Sequence, residues 1–101
     1  MKVNVQSVNF NVDEKLVNFT NEKLSKLENH YNKIISANVF MKVDNTSSKE
    51  NKVTEILLSI PGSELVVKKT YKTFEQGVDQ CLTSLERQLM KKKGKQKTHL
   101  A

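Results

Sequence analysis

The chain has 101 residues, of which 37% are hydrophobic and 28% charged, with one cysteine, two histidines and a formal net charge of +6. That is one domain's worth of chain, long enough to bury about two-thirds of its unfolded surface around a single core. Cys81 alone cannot close an internal disulfide, His30 and His99 are too far apart for Cys/His metal-ligand spacing, and no apolar run approaches the ~18 residues of a membrane helix.

The opening MKVNVQSVNF alternates instead of running apolar, so it reads as a strand over 2–10 and not as a signal peptide, and a cytoplasmic protein is expected. Val3 and Val5 point one way, and Lys2, Asn4 and Gln6 the other, as in a strand half exposed to water. In the following NVDE, Asn11 or Asp13 can cap a helix, and Asn11 with Glu14 has capping-box spacing. Leu16, Val17, Thr20, Leu24, Leu27 and Tyr31 then recur at helical intervals, which predicts a helix over about 13–31.

Period two returns over 34–44, with Ala37, Val39, Met41 and Val43 on one face. DNTSSKEN (44–51) has no apolar residue and reads as a loop. Residues 52–60 form the third strand, with Ile56, Leu58 and Ile60 on one face. Pro61-Gly62 makes a turn, since proline fixes φ and glycine accepts positive φ, and the fourth strand (about 63–70) pairs back as a hairpin. Thr73, with Gln76 three residues on, opens a second helix whose stripe is Phe74, Val78, Cys81, Leu82, Leu85 and Leu89. Gly77 costs this helix about 1 kcal/mol against alanine, which close approach to the sheet can offset. The helix is expected to run to about Lys93 and end at Gly94, leaving a mobile basic tail at 95–101 after a domain of residues 1–94.

The order is therefore β–α–β–β–β–α, an α+β class. One right-handed β–α–β crossover makes the first two strands parallel, and short loops make the rest antiparallel. Two helices with one apolar stripe each must cover one face of a four-stranded mixed sheet. The other face, carrying Asn4, Gln6, Asn38 and Lys42, should stay wet.

The charge is focused. Residues 86–97 hold six basic side chains and one acidic, a local +5, which leaves only +1 for the remainder. A concentrated positive patch attracts polyanions far better than the same charge spread evenly, although a basic run can also be no more than a solvated tail.

Taken together, VNVQSVNF, EKLVNFTNEKLSKLENHY, the Pro-Gly hairpin and FEQGVDQCLTSLERQLMKKKGK resemble the ribosome hibernation-promoting factor and ribosome-associated inhibitor family over about residues 2–95. KLSKLE in the first helix and LERQL followed by lysines in the second are the most specific parts. The resemblance implies a β–α–β–β–β–α fold related in shape to double-stranded-RNA-binding domains. It also implies binding to the small ribosomal subunit, in the channel where messenger and transfer RNAs sit, and inhibition of translation. Long members carry a second, ribosome-pairing domain, and the inhibitor branch ends in an acidic extension. This length and basic tail resemble a short hibernation-promoting factor, expected to be a monomer when free.

The candidate RNA-binding residues are Lys23 and Lys26 on the first helix and Arg87, Lys91 and Lys92 on the second, with Lys93, Lys95 and Lys97 beyond. Lysine suits loose phosphate contact, and Arg87 can grip phosphate bidentately. Two helices side by side would set both groups along one groove. Against this, Lys23 and Lys26 can simply balance Glu22 and Glu28 on a wet face; acidic neighbours are fewer around Arg87–Lys93. The aromatic residues are scattered and are expected to be packing, with Phe40 the exception if it falls on the open sheet face. His30 reads as a helix-end residue and Cys81 as buried packing. No nucleophile triad, carboxylate pair or phosphate loop is discernible, so no enzyme, cofactor, metal, membrane or small-molecule substrate is expected. The alternative is a generic double-stranded-RNA-binding module without ribosome preference; a third reading is an interaction module acting through the open sheet face.

Overall fold

The computed structural model describes the backbone of residues 1–100 and the side chains of residues 1–92. Ala101 and the side chains of 93–100, those of Lys93, Lys95 and Lys97 among them, lie outside the described residues, so of the tail expected at 95–101 only the backbone of 95–100 is described. The elements are β1 (Lys2–Val8), α1 (Glu14–His30), β2 (Ser36–Val43), β3 (Lys52–Ile60), β4 (Ser63–Tyr71) and α2 (Phe74–Leu100). The sheet order is β1-β2-β3-β4, with β1 parallel to β2 and the other pairs antiparallel.

Local chemistry explains most boundaries. β1 stops at Val8, earlier than expected, because Asn9 takes a left-handed φ of 70°, which breaks the extended backbone and which asparagine tolerates. Asp13, not Asn11, caps α1: its carboxylate accepts from the Leu16 N–H at 2.8 Å. Gly62 adopts φ 76° in the hairpin turn. Thr73 caps α2 by accepting from the Gln76 N–H at 3.1 Å. The end expected at Gly94 is corrected, since α2 continues to Leu100. A glycine terminates a helix only when it takes the left-handed C-terminal conformation; otherwise it costs about 1 kcal/mol, and lysine and glutamine around it favour helix.

Both helices pack on the same sheet face around one core. Leu24, Ala37, Val39, Met41, Ile56, Leu58, Val78, Cys81 and Leu85 are fully buried there, with Leu27, Leu82 and Leu89 nearly so. The Cys81 thiol is pushed up to about 11 by burial, against the opposing pull of Lys69, so it stays a neutral packing group. Phe10 stacks on Phe74, ring centroids 4.7 Å apart, which pins the β1–α1 connection to the start of α2.

Gly77 marks where α2 meets β3. A Cβ there would stand 2.5 Å from the Thr54 Oγ1 and 3.1 Å from its Cβ. Thr54 is fully buried, and its hydroxyl has no hydrogen-bond partner among the described residues. The helix gives up propensity at this position to gain close contact. Gly77→Ala is therefore expected to lower stability by about 1–3 kcal/mol through overpacking, although alanine is the better helix former. Urea unfolding reads the sign, and removing the hydroxyl and its methyl in a Gly77→Ala/Thr54→Ala pair should return part of the loss.

Candidate nucleic-acid interface

The buried stripe of α1 is Leu16, Thr20, Leu24 and Leu27, which turns Lys23 and Lys26 toward α2 and solvent. KLSKLE and LERQL each have two jobs. Their leucines (Leu24, Leu27, Leu85, Leu89) build the core where the helices meet, and their charged residues line or flank the surface above it.

A groove runs between the helices, lined by Lys23, Lys26, His30, Asp79, Thr83 and Glu86 above Leu27 and Leu82. It is mixed in charge. Lys23 Nζ is 3.3 Å from Asp79 Oδ1 and 5.4 Å from the centre of the Phe19 ring, so α2 already engages this lysine. His30 Nε2 is 4.0 Å from Glu86 Oε1. The Glu28 carboxylate, expected to balance a lysine, instead meets the Met1 amino group at 2.8 Å. Lys26 is exposed at the groove edge.

Arg87, Lys91 and Lys92 of α2 do not line this groove with the lysines of α1. Thr83 lines it, but each step of four residues turns a side chain about 40° further round the helix, so Arg87 and then Lys91 move away from α1 onto the exposed side. Lys92 takes a third direction. It is half-buried against the sheet and donates from Nζ to the Ser63 Oγ at 3.2 Å, beside the hairpin turn. One groove holding all five residues is thus replaced by a basic ridge at Arg87 and Lys91, Lys92 seated on the hairpin, and Lys26 with a tethered Lys23 across the groove. The α2 backbone carries positions 93, 95 and 97 onward along the same helix.

Sequence reasoning missed Asp79 as the partner of Lys23 and Ser63 as the seat of Lys92. No local pattern signals either one. It set Lys42 on the wet side of the sheet without counting it a candidate, and it passed over Lys68, which alternation places on the same side. Among the described residues no three His, Cys, Asp or Glu side chains gather as a metal-binding group, and no helix is long and apolar enough to cross a membrane.

The profile of the family described as Sigma 54 modulation protein / S30EA ribosomal protein matches residues 3–97. The ribosome hibernation promoting factor of Pseudomonas putida is 34% identical over 100 residues, spanning 99% of this chain and 94% of that protein. The factor of the same name from Azotobacter vinelandii is 32% identical over 96 residues, 95% of this chain and 86% of the relative. That from Escherichia coli K12 is 28% identical over 99 residues, 98% of this chain and 100% of the relative. Among solved structures, a ribosomal subunit interface protein from Coxiella burnetii superposes with a TM-score of 0.83 at 20% identity, covering 93% of this chain and 99% of that one. The N-terminal domain of Thermus thermophilus Protein Y gives 0.75 at 18% identity, covering 87% and 94%. At such identities these two speak to the fold, which they share.

Proposed function

Because the chain belongs to the Sigma 54 modulation protein / S30EA ribosomal protein family, we propose that it is a ribosome hibernation factor, which binds ribosomes and holds them out of translation. The observation that carries this reading is the near full-length likeness to hibernation factors. The charge focused in residues 86–97 fits it. The partner is the small subunit, in the channel for messenger and transfer RNAs. The domain inhibits by occupying that space, with no bond made or broken, so it needs no cofactor, metal or small-molecule substrate and is not an enzyme. Its place of action is the cytoplasm, where its ribosomes are, and the free protein is a monomer.

In this reading Arg87 and Lys91 hold ribosomal RNA phosphates from the exposed ridge of α2. Lys92 joins them from the hairpin side, and Lys93, Lys95 and Lys97 extend the charge along the helix. Lys26 contributes from α1. Lys23 joins by exchanging Asp79 for a phosphate, a cheap exchange because an exposed ion pair is worth only about 0–1 kcal/mol.

Sedimentation with isolated subunits and with plain RNA duplex tests the proposal. Salt-sensitive binding to the small subunit, with weak binding to duplex, is the expected result. Equal affinity for both would replace it with a generic double-stranded-RNA binder. Light scattering should return the monomer mass at low micromolar concentration; a stable dimer there would refute that part.

A further inference from the structure

The sheet face turned away from both helices carries one aromatic residue. Strand alternation puts Val39 and Met41 into the core and sends Phe40 between them to the opposite side. Its ring is only partly covered. In register, Phe40 stands between Gln6 of β1 and Glu55 of β3, with Lys68 of β4 next in the same row. Two residues along β2 on the same face are Asn38, which is paired with Asn4, and Lys42. A partly exposed ring is thus ringed by amides, a carboxylate and two cations. Val66, 55% exposed, and Leu57 continue the apolar floor one row away.

We propose that this open sheet face binds an unpaired RNA segment, with one base stacked on Phe40. Amide and carboxylate groups of Asn38, Gln6 and Glu55 meet the base edge, and Lys42 and Lys68 hold the flanking phosphates. Every base has a π-face, and an aromatic ring on a sheet gives it a platform. Asparagine and glutamine supply both donors and an acceptor, and glutamate accepts from base amino groups. Duplex RNA cannot use the platform, because its bases are already stacked and paired. Among the described residues Lys42 is held only by Asp44, at 3.5 Å on the surface, a pair that a phosphate can replace. The choice of RNA over other single strands rests on the ribosomal reading above. The site itself does not, since it lies on the face opposite the helices that carry Lys26 and Arg87.

The test is an anisotropy titration of the full chain with a labelled, unstructured oligoribonucleotide of about eight nucleotides, a length within the usual single-strand site sizes. A hairpin duplex is the second arm, and small-subunit sedimentation is read separately. Phe40→Leu should weaken single-strand binding roughly 5-fold or more, the lower end of what one lost base stack costs. It should leave duplex binding unchanged, and Phe40→Tyr should restore the parent affinity. Should Phe40→Leu melt early, the pair Gln6→Ala and Asn38→Ala probes the same face without touching the ring and should also weaken the single strand. Parent protein that does not bind the single strand, equal affinity of the parent and Phe40→Leu, or a Phe40→Tyr variant as weak as Phe40→Leu would overturn the proposal. Small-subunit binding that persists in any of these cases leaves the ribosomal reading standing without this site.

Discussion

Replacing Arg87, Lys91 and Lys92 together by glutamate is expected to abolish binding to the small subunit and inhibition of cell-free translation, with little change in folding. The three substitutions take the formal net charge from +6 to 0 and reverse the ridge where the excess is concentrated. Binding that neutralises phosphates releases counterions, so the logarithm of affinity falls linearly with the logarithm of salt, by about 0.7 to 0.9 per contact. Arg87→Ala and Lys91→Ala should each flatten that slope by about one unit or slightly less. Arg87 and Lys91 are exposed, so their loss should alter stability by less than about 0.5 kcal/mol. Lys92 differs, because it gives up the bond to the Ser63 Oγ, worth about 0.5–1.5 kcal/mol. The double variant Arg87→Glu/Lys91→Glu therefore separates the ridge from the hairpin contact. If the triple variant inhibits as strongly as the parent, the basic ridge is a solvated helix surface and the ribosome is held by other residues.

Leu85→Ala is expected to lower stability by about 2–5 kcal/mol, the usual cost of losing buried methyl groups and leaving a cavity. Leu85 has no exposed surface and projects from α2 into the core. A domain of this size has only about 5–15 kcal/mol in total, so the melting temperature should drop by roughly 10 °C or more. Leu82→Ala should fall at the lower end of the range, because Leu82 is 8% exposed and borders the interhelical groove, where neighbours and water can relax into the space. A midpoint that moves with an unchanged denaturant slope is the signature of lost stability alone. An unchanged melting curve for Leu85→Ala would show that this helix face packs elsewhere.

Most of the fold was legible in single stretches of the chain. Leu24, Leu27, Val78, Leu82, Leu85, Ile56 and Leu58, expected in the core from periodicity, are all buried. The boundary errors have local causes. Asn9 ends β1 through its left-handed backbone, and Gly94 does not end α2. On β3 the alternation was read only from Ile56 onward. Thr54 carries the same inward phase and is fully buried, but a hydroxyl residue gives no apolar signal of it.

The candidate site was legible as a list of charges and illegible as an arrangement. A lysine's sequence neighbours say which side of its helix it occupies, and nothing about what stands across from it. Lys23 meeting Asp79, Lys92 reaching Ser63 and Gly77 pressing on Thr54 all depend on the height and angle at which α2 lies on α1 and the sheet. Packing of Leu24, Leu27, Leu82, Leu85 and Leu89 sets that placement, and no short-range period encodes it.

The sequence by itself determined the element order, the inward face of each element and the concentration of positive charge near the C-terminus. Those follow from the two-residue pleat, the 3.6-residue turn and a count of ionisable groups. Only the tertiary structure decided which charges are already engaged and which stand exposed, and which residues of β1, β3 and β4 stand beside Phe40 on the open face. Such outcomes depend on residues far apart in the chain, brought together when the two apolar stripes bury themselves against one side of the sheet.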